Sequence, residues 1–202
     1  MTPDLSADTI VAFLADIFER RGGEEYLGEP VTMAQHMLQG ATIAQQNGMS
    51  EEIIVAALLH DIGHFTSEFG TYTPEDTQDR HHEDAGEMVL APFFPQVITD
   101  CVKYHVAAKR YLCATRPDYF ARLSPASVHT LELQGGPMDA DEVAEFEENP
   151  NLKQIIQVRY LDEAGKRPDM DTPDFAHFAP LVQRQVDAHV ERMNRAGLTA
   201  PG

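Results

Sequence analysis

The stretch AALLHDIGHF ends an apolar run with side chains that can bind a metal ion. The apolar residues Ile53–Leu59 are typical of a buried helix, and His60, Asp61 and His64 follow them. Burying an ionisable side chain is costly unless it is paired with an opposite charge or bound to a metal. The stretch therefore predicts either a functional site at the end of this helix or a break of the helix into solvent.

Histidines and acids on other predicted helices could join this helix end. The candidates are His36, His82, His105 and Asp162. Imidazole and carboxylate together suit iron, manganese and zinc. Because a carboxylate has two oxygens, Asp61 could bridge two metal ions, and the whole set fits a metal pair that shares one carboxylate. A histidine on a helix is more often an ordinary core or surface residue, and the remaining histidines are interpreted in that way.

The elements that must position these residues are helices. The apolar pattern predicts a single all-α domain over residues 1–202, with about eight or nine helices. The helices that carry candidate residues are expected at about 32–46, 50–61, 83–90, 95–112 and 152–164, and the last helix at about 173–196. Ser6 and Ser50 are expected to cap the first and third helices, and Gly63 to end the third. The polar segment 65–80 is predicted to be a long loop.

Composition and charge exclude several classes of partner. The 202 residues include 33 acidic and 15 basic side chains, and the net charge of −18 argues against nucleic acid or an anionic membrane as the main partner. The N-terminal MTPDLSADTI has neither the basic nor the apolar region of a signal peptide, and no apolar run is long enough for a membrane span. With two cysteines and no CxxC motif, a cytoplasmic location is expected.

The order of the candidate residues resembles the HD-domain superfamily. LLHDIGH is similar to its central motif, and HHEDAGEMVL is similar to the H-E-x-x-G element that follows. The resemblance implies a helical HD-domain bundle with a metal-binding core at about 26–165. The ligands it implies are His36, His60, Asp61 and Asp162 for one ion, and Asp61, His82 and His105 for the second, with Asp61 as the bridge.

Two branches of this superfamily are compatible with such a ligand set. Most members are phosphohydrolases, in which a metal-bound water attacks phosphorus. A smaller branch holds a mixed-valent Fe(II)/Fe(III) pair, uses O2 as co-substrate and cleaves 1-hydroxyalkylphosphonates. The stretch EEYLGEP, ahead of His36, resembles the Tyr-x-x-Glu element of that branch. The resemblance implies that Tyr26 ligates one iron until substrate displaces it, and that Glu29 binds the ammonium group of the substrate.

Basic residues in register with the candidate ligands favour an anionic substrate. Lys109 lies four residues after His105, and Arg159 three residues before Asp162, so each shares a helix face with a candidate ligand. Together these two cations could bind a phosphonate, the arginine with bidentate geometry.

Two further groups are expected to contact the same anion. His64 follows His60 by one turn and could reach the phosphonate. The stretch LSPASVHTLELQGGPM also resembles the oxygenase branch, in which a serine helps to bind phosphonate. Ser127 is expected in this role, and Ser124 is the alternative.

The oxygenase branch is the preferred interpretation, with Tyr26 and Asp61 as catalytic residues. It implies an O2-dependent diiron dioxygenase that breaks the carbon–phosphorus bond of an (R)-1-hydroxy-2-ammonioethylphosphonate and releases phosphate. A 2-trimethylammonio substrate would give glycine betaine and a 2-amino substrate would give glycine; the sequence does not choose between them. A separate hydroxylase is expected to supply the hydroxyphosphonate. The alternative is a metal-dependent phosphohydrolase that acts on a small phosphate ester.

Overall fold

A computed structural model describes residues 5–26, 28–66, 79 and 81–198 of the chain. Within these ranges the chain is helical, and the one extended pairing is an isolated antiparallel bridge between Glu25 and Thr32. The helices are α1 (Ile10–Arg21), α2 (Met33–Gln46), α3 (Glu51–Leu59), α4 (Gly63–Thr66), α5 (His82–Leu90), α6 (Gln96–Thr115), α7 (Pro117–Phe120), α8 (Pro125–Leu133), α9 (Ala140–Glu147), α10 (Leu152–Ala164) and α11 (Phe175–Arg195).

The expected all-α class is confirmed. The described ranges hold eleven helices rather than eight or nine, because α4 and α7 are short helices of four residues each. Across these ranges none of the helices combines the length and the apolar character that a membrane span needs. Of the predicted loop 65–80, Phe65 and Thr66 belong to α4, and the rest apart from Asp79 lies outside the described residues.

Two of the expected helix ends are wrong. Helix α1 begins at Ile10, and Ser6 instead opens a turn in which its carbonyl oxygen accepts the backbone N–H groups of Thr9 and Ile10 at 3.0 and 2.9 Å. Gly63 begins α4 rather than ending α3, which stops at Leu59. The glycine is needed there for close packing against α5, and helix termination plays no part.

Helix α3 forms the centre of the bundle. It begins after Ser50, as expected, and every residue of the run Ile53–Leu59 is buried. It packs against α2, α6, α10 and α11, so apolar neighbours surround it. Each buried leucine or isoleucine contributes roughly 1.5–3 kcal/mol to folding. This burial fixes the end of α3, and with it His60 and Asp61, in the interior.

A capping box fixes the start of α2 and therefore the position of His36. Thr32 Oγ1 accepts the backbone N–H of Gln35 at 3.2 Å, and Gln35 Oε1 accepts the backbone N–H of Thr32 at 2.8 Å. The helix thus begins at Met33. His36 lies in its first turn, fully buried.

Gly63 allows α4 and α5 to touch. A Cβ atom at this position would lie 1.7 Å from the carbonyl oxygen of His82 and 2.7 Å from the backbone nitrogen of Gly86. No side chain larger than hydrogen fits without displacing the start of α5. The contact therefore sets the position of His82 relative to the end of α3.

We expect Gly63→Ala to lower the unfolding temperature of the metal-free protein. Overpacking costs about 1–3 kcal/mol, and the overlap with His82 O places this substitution near the upper end. A cost of about 3 kcal/mol corresponds to a loss of roughly 6–12 °C in a chain of this size. The matched control is Gly23→Ala, where an added Cβ meets nothing within 4 Å. Equal unfolding temperatures for the two variants, measured by calorimetry, would contradict the packing argument.

Candidate metal centre and central cavity

Two pairs of histidines meet in the interior through their Nε2 atoms. His36 of α2 and His60 at the end of α3 have Nε2 atoms 3.0 Å apart. His82 of α5 and His105 of α6 have the same separation of 3.0 Å. Nitrogens bound to one metal ion at about 2.1 Å lie roughly 3 Å apart, so each pair has the spacing of two ligands on one ion.

Asp61 lies between the two pairs and presents one oxygen to each. Its Oδ2 atom is 3.4 Å from His36 Nε2 and 3.5 Å from His60 Nε2. Its Oδ1 atom is 3.3 Å from His82 Nε2 and 3.2 Å from His105 Nε2. This division of the carboxylate oxygens is the arrangement that a bridging ligand requires.

Asp162 of α10 adds a second carboxylate to the first pair. Its Oδ1 atom is 3.5 Å from His36 Nε2, and its Oδ2 atom is 3.9 Å from His60 Nε2. The six predicted ligands therefore come together in one buried cluster, delivered by α2, the end of α3, α5, α6 and α10.

The other ring nitrogen of most of these histidines is engaged by a backbone carbonyl. His36 Nδ1 lies 2.9 Å from Gly165 O and His60 Nδ1 2.9 Å from Ala57 O. His105 Nδ1 lies 2.6 Å from Val102 O. A carbonyl only accepts, so each Nδ1 carries a hydrogen, and a ring in its neutral form presents the lone pair of Nε2 to the cluster. Lone pairs that face each other at 3.0 Å repel unless a cation lies between them.

Glu83 and His64 lie beside His82 of the second pair. Glu83 Oε2 is 3.3 Å from His82 Nδ1. His64 is buried and stacks on His82 with ring centroids 3.9 Å apart and an interplanar angle of 12°. Its Nε2 atom is 4.0 Å from Asp61 Oδ1, so Asp61, His64 and His82 also form a metal-competent group.

The carboxylates of the cluster keep their charge in spite of burial. Burial alone raises the pKa of Asp61, but the nearby His60 and the hydrogen bonds from histidines hold it well below its usual value. Burial acts on Asp162 in the same way, and Arg159 holds the pKa of that carboxyl below its usual range. The Asp61 Oδ2 and Asp162 Oδ1 atoms accept no hydrogen bond from any described residue.

The histidines of the cluster are divided in their affinity for protons. Burial lowers the pKa of His60 to about 4, so this ring is neutral at pH 7. Burial also lowers the pKa of His105, but the hydrogen bond with Asp61 outweighs it and leaves this pKa above its usual value. A metal ion bound at His105 would compete with that proton.

The donor set fits two metal ions that share Asp61. It offers buried imidazoles, ionised carboxylates and two carboxylate oxygens with no hydrogen-bond donor among the described residues. One ion would be held by His36, His60, Asp61 and Asp162, and the other by Asp61, His82 and His105. Imidazole with carboxylate is the ligand mixture of non-haem iron, manganese and zinc sites.

Tyr26 covers the first half of the cluster. Its ring stacks on His36 with centroids 4.0 Å apart and an interplanar angle of 15°. Burial and the negative charges of Asp61 and Asp162 raise the pKa of Tyr26 well above its usual value. The hydroxyl is therefore protonated unless a cation is close to its oxygen.

A central cavity of about 30 Å³, partly open to solvent, lies beside the cluster. Every predicted substrate-binding residue lies on its wall. The polar lining residues are Tyr26, Glu29, Asp61, His64, His82, His105, Lys109, Ser127, Thr130, Gln134, Arg159, Asp162 and Lys166. Ser124, the alternative to Ser127, instead caps α8 by accepting the backbone N–H of Ser127 at 3.1 Å.

Two buried cations form one side of this cavity. Lys109 Nζ donates to Thr130 Oγ1 at 2.7 Å. Arg159 Nε donates to Tyr119 Oη at 2.7 Å, and its two terminal nitrogens donate to Asp162 and Glu163. Three of the five N–H groups of Arg159 are thus engaged by residues that the structure describes.

Glu29 lies in a polar cluster that the sequence interpretation did not foresee. Ser124 Oγ donates to Glu29 Oε1, and Lys166 Nζ lies 3.3 Å from the same oxygen. Lys166 also donates to Ser127 Oγ at 2.8 Å. Sequence reasoning missed Lys166 and Glu163, although Lys166 follows Arg159 by seven residues, which are two helical turns.

Comparisons with known proteins identify relatives of the chain. The model of the HD-domain family matches residues 33–164. A glycine-betaine-forming 1-hydroxy-2-(trimethylamino)ethylphosphonate dioxygenase of Leisingera caerulea is 75% identical over 186 residues, which cover 92% of this chain and 95% of that protein. A hydroxymethylphosphonate dioxygenase of Gimesia maris is 42% identical over 165 residues, or 80% of this chain and 81% of that protein. An uncharacterized protein of Acanthamoeba polyphaga mimivirus is 34% identical over 155 residues, which cover 76% of this chain and 71% of that protein.

The protonation of Lys109 leads to a pH-dependent prediction for anion binding. Burial, reinforced by the neighbouring Arg159, lowers the pKa of Lys109 to about 7. Below that pH the side chain is charged, and above it the charge is lost. We expect Lys109→Met to weaken binding of sulfate to the metal-loaded protein about tenfold at about pH 6, through loss of a charge-assisted contact, with little effect at about pH 9.

Sulfate keeps its charge at both pH values, so a difference in affinity between them reflects a change in the charge of the protein. Titration calorimetry at both pH values measures it. The control is Lys153→Met, which removes an exposed lysine from α10. A deficit in the Lys109 variant that is equal at both pH values would contradict a lysine that titrates near neutrality.

Proposed function

The chain belongs to the HD-domain family, and from its similarity to two phosphonate dioxygenases we propose that it is an O2-dependent dioxygenase that cleaves the carbon–phosphorus bond of a 1-hydroxyphosphonate. One observation carries the proposal: a single cavity is lined by a two-metal donor set, by the cationic side chains of Lys109 and Arg159, and by the carboxylate of Glu29. A substrate that fits has a dianionic end, a hydroxyl near the metals and a cationic end. 1-Hydroxy-2-(trimethylammonio)ethylphosphonate has this order of groups, and the resemblance to the Leisingera caerulea enzyme supports it over the 2-amino form.

The proposed cofactor is a pair of iron ions, in the Fe(II)/Fe(III) state, with O2 as co-substrate. One ion would be held by His36, His60, Asp61 and Asp162, and the other by Asp61, His82 and His105. When bound, the pair supplies the redox centre that activates O2. The protein contributes rigidity, because the rings are held by backbone carbonyls and Asp61 follows a fully buried helix.

The side chains around the donor set bind and orient the substrate. Lys109 and Arg159 contribute positive charge toward the phosphonate, and the hydroxyl of Ser127 contributes a hydrogen bond. His64 lies on the same wall. Glu29 faces the cationic end of the substrate. In this placement the carbon–phosphorus bond lies beside Asp61.

Tyr26 is proposed to guard the first half of the metal site. It is buried, stacks on His36 and lines the cavity, so an incoming substrate would meet this side chain beside the donor set. The raised pKa of this tyrosine means that deprotonation requires a neighbouring cation. An occupied ligand position in the resting enzyme would limit oxidation in the absence of substrate.

The overall reaction balances without water. The hydroxyphosphonate and O2 give glycine betaine, hydrogen phosphate and a proton. The C1–H and C1–P bonds break, and the two atoms of O2 are distributed between the carboxylate and the phosphate. Because the substrate carries a C1 hydroxyl, we propose that a separate hydroxylase makes the substrate from the parent phosphonate. We also propose a cytoplasmic location for the chain.

A metal-dependent phosphohydrolase that acts on a small phosphate ester is the second candidate. It is favoured by the anion-binding wall, which suits a phosphate ester as well as a phosphonate. Hydrolysis consumes water and not O2. In this alternative Glu29 faces no cationic group of the substrate, because a phosphate ester does not require a cationic tail.

Oxygen consumption separates the two candidates. The iron-loaded protein is given 1-hydroxy-2-(trimethylammonio)ethylphosphonate, and dissolved O2 and released phosphate are followed together. We expect one phosphate for each O2 consumed and no phosphate without O2. Phosphate release that proceeds equally under strict exclusion of O2 would contradict the dioxygenase and support the hydrolase.

Removal of the shared carboxylate tests the ligand assignment. We expect Asp61→Ala to lose both iron ions, because each of its oxygens faces one histidine pair at 3.2–3.5 Å. The control is Asp84→Ala, which removes an exposed acid from α5 and is expected to keep the iron of the unaltered chain. Iron is measured after desalting, and circular dichroism checks the fold. An Asp61→Ala protein that is folded and retains two irons would refute the bridging role.

A further inference from the structure

Lys166 places an ammonium group inside the central cavity. Its Nζ atom lies 3.3 Å from Glu29 Oε1, 3.7 Å from Glu163 Oε1 and 2.8 Å from Ser127 Oγ. The same atom is 5.9 Å from the centre of the Tyr26 ring, within the range of a cation–π contact. The reaction proposed above assigns no role to this residue.

The backbone next to Lys166 packs against His36, one of the proposed metal ligands. The preceding residue, Gly165, accepts the Nδ1–H of His36 with its carbonyl oxygen at 2.9 Å. A Cβ atom on Gly165 would lie 2.8 Å from His36 O and 3.2 Å from His36 Nδ1. The chain therefore passes directly against His36 at the end of α10, and the next side chain, Lys166, enters the cavity beside Tyr26.

The surroundings of this ammonium group are those that recognise a cationic ligand. They combine two carboxylates, Glu29 and Glu163, with an aromatic ring. The side chains of Lys166, Glu29 and Glu163 are 11%, 10% and 16% exposed, so their interactions are little screened by solvent. Glu163 is also bound by Arg159, which leaves Glu29 as the carboxylate that Lys166 neutralises.

A cationic substrate must therefore share Glu29 with Lys166. A trimethylammonio group has no N–H and interacts with a carboxylate only through its charge, so a resident ammonium group on the same carboxylate reduces its attraction. A substrate without a cationic end, such as hydroxymethylphosphonate, makes no such demand and leaves the Lys166–Glu29 pair in place. The two kinds of substrate thus respond differently to Lys166.

We propose that Lys166 is a specificity-determining residue, which acts as the resident counter-ion of Glu29 and sets the preference between phosphonates with and without a cationic end. This inference rests on the proposed function. Lys166 has a second contact in Ser127, whose hydroxyl donates to Glu163 Oε1 at 3.4 Å, so Lys166 can also affect phosphonate binding through this serine. That second effect is common to both kinds of substrate, so it cancels when their affinities are compared as a ratio.

The test is a double-mutant cycle on the iron-loaded protein. The variants are Lys166→Met, Glu29→Gln and the double substitution, with Lys153→Met as the exposed control on α10. Dissociation constants for 1-hydroxy-2-(trimethylammonio)ethylphosphonate and for hydroxymethylphosphonate are measured by calorimetry without O2, so that no turnover occurs. Circular dichroism and iron content check each variant, and Lys166→Gln replaces Lys166→Met if the latter does not fold.

We expect Lys166→Met to shift the affinity ratio about tenfold toward the cationic substrate, from loss of one charged competitor. In the Glu29→Gln background the same substitution is expected to shift the ratio by less than about twofold, because the shared carboxylate is absent. Equal weakening of both substrates, or an equal shift in both backgrounds, overturns the inference and leaves the proposed function standing. An unaltered chain that binds neither phosphonate overturns both.

Discussion

The fold is organised around the lone pairs of buried histidine and aspartate side chains, which are held close together. Four imidazole nitrogens and the oxygens of Asp61 and Asp162 converge in the interior at 3.0–3.9 Å. Such a cluster is stable only if positive charge lies between the donors, and protons on the histidines compete with metal ions for that place. The apolar helix α3, the carbonyls that fix the Nδ1 atoms and the close contact at Gly63 all hold the donors in this arrangement.

Several positively charged side chains lie around this cluster, although the net charge of the chain is strongly negative. The chain carries a formal charge of −18, yet Lys109, Arg159 and Lys166 are all largely buried beside the cavity. Each has different partners: Arg159 contacts Asp162 and Glu163, Lys166 contacts Glu29, and Lys109 donates to the uncharged hydroxyl of Thr130. Lys109 is therefore the cation that gains most from an anionic ligand, and Glu29 the carboxylate most affected by a cationic one.

The sequence predicts those parts of the site that depend on the spacing of residues close together in the chain. Apolar periodicity and the position of His60 and Asp61 after Ile53–Leu59 were sufficient for an all-α bundle with a site at the end of α3, and the family resemblance supplied the order of the six proposed ligands. Contacts between distant segments were not accessible: Gly63 was interpreted as a helix end because its packing against His82 is visible only in three dimensions. The Lys166–Glu29 pair was missed for the same reason, since its partners are far apart in the chain.

We infer that the buried cluster needs two metal ions between its nitrogen and oxygen donors. Titration of the metal-free protein with Fe(II) without O2, followed by bound iron and unfolding temperature at each step, tests it most directly. We expect saturation at two irons per chain. The unfolding temperature is expected to rise with the first and with the second equivalent of iron, because each ion binds the native cluster and not the unfolded chain. Saturation at one iron, or an unfolding temperature that does not respond to iron, would contradict it.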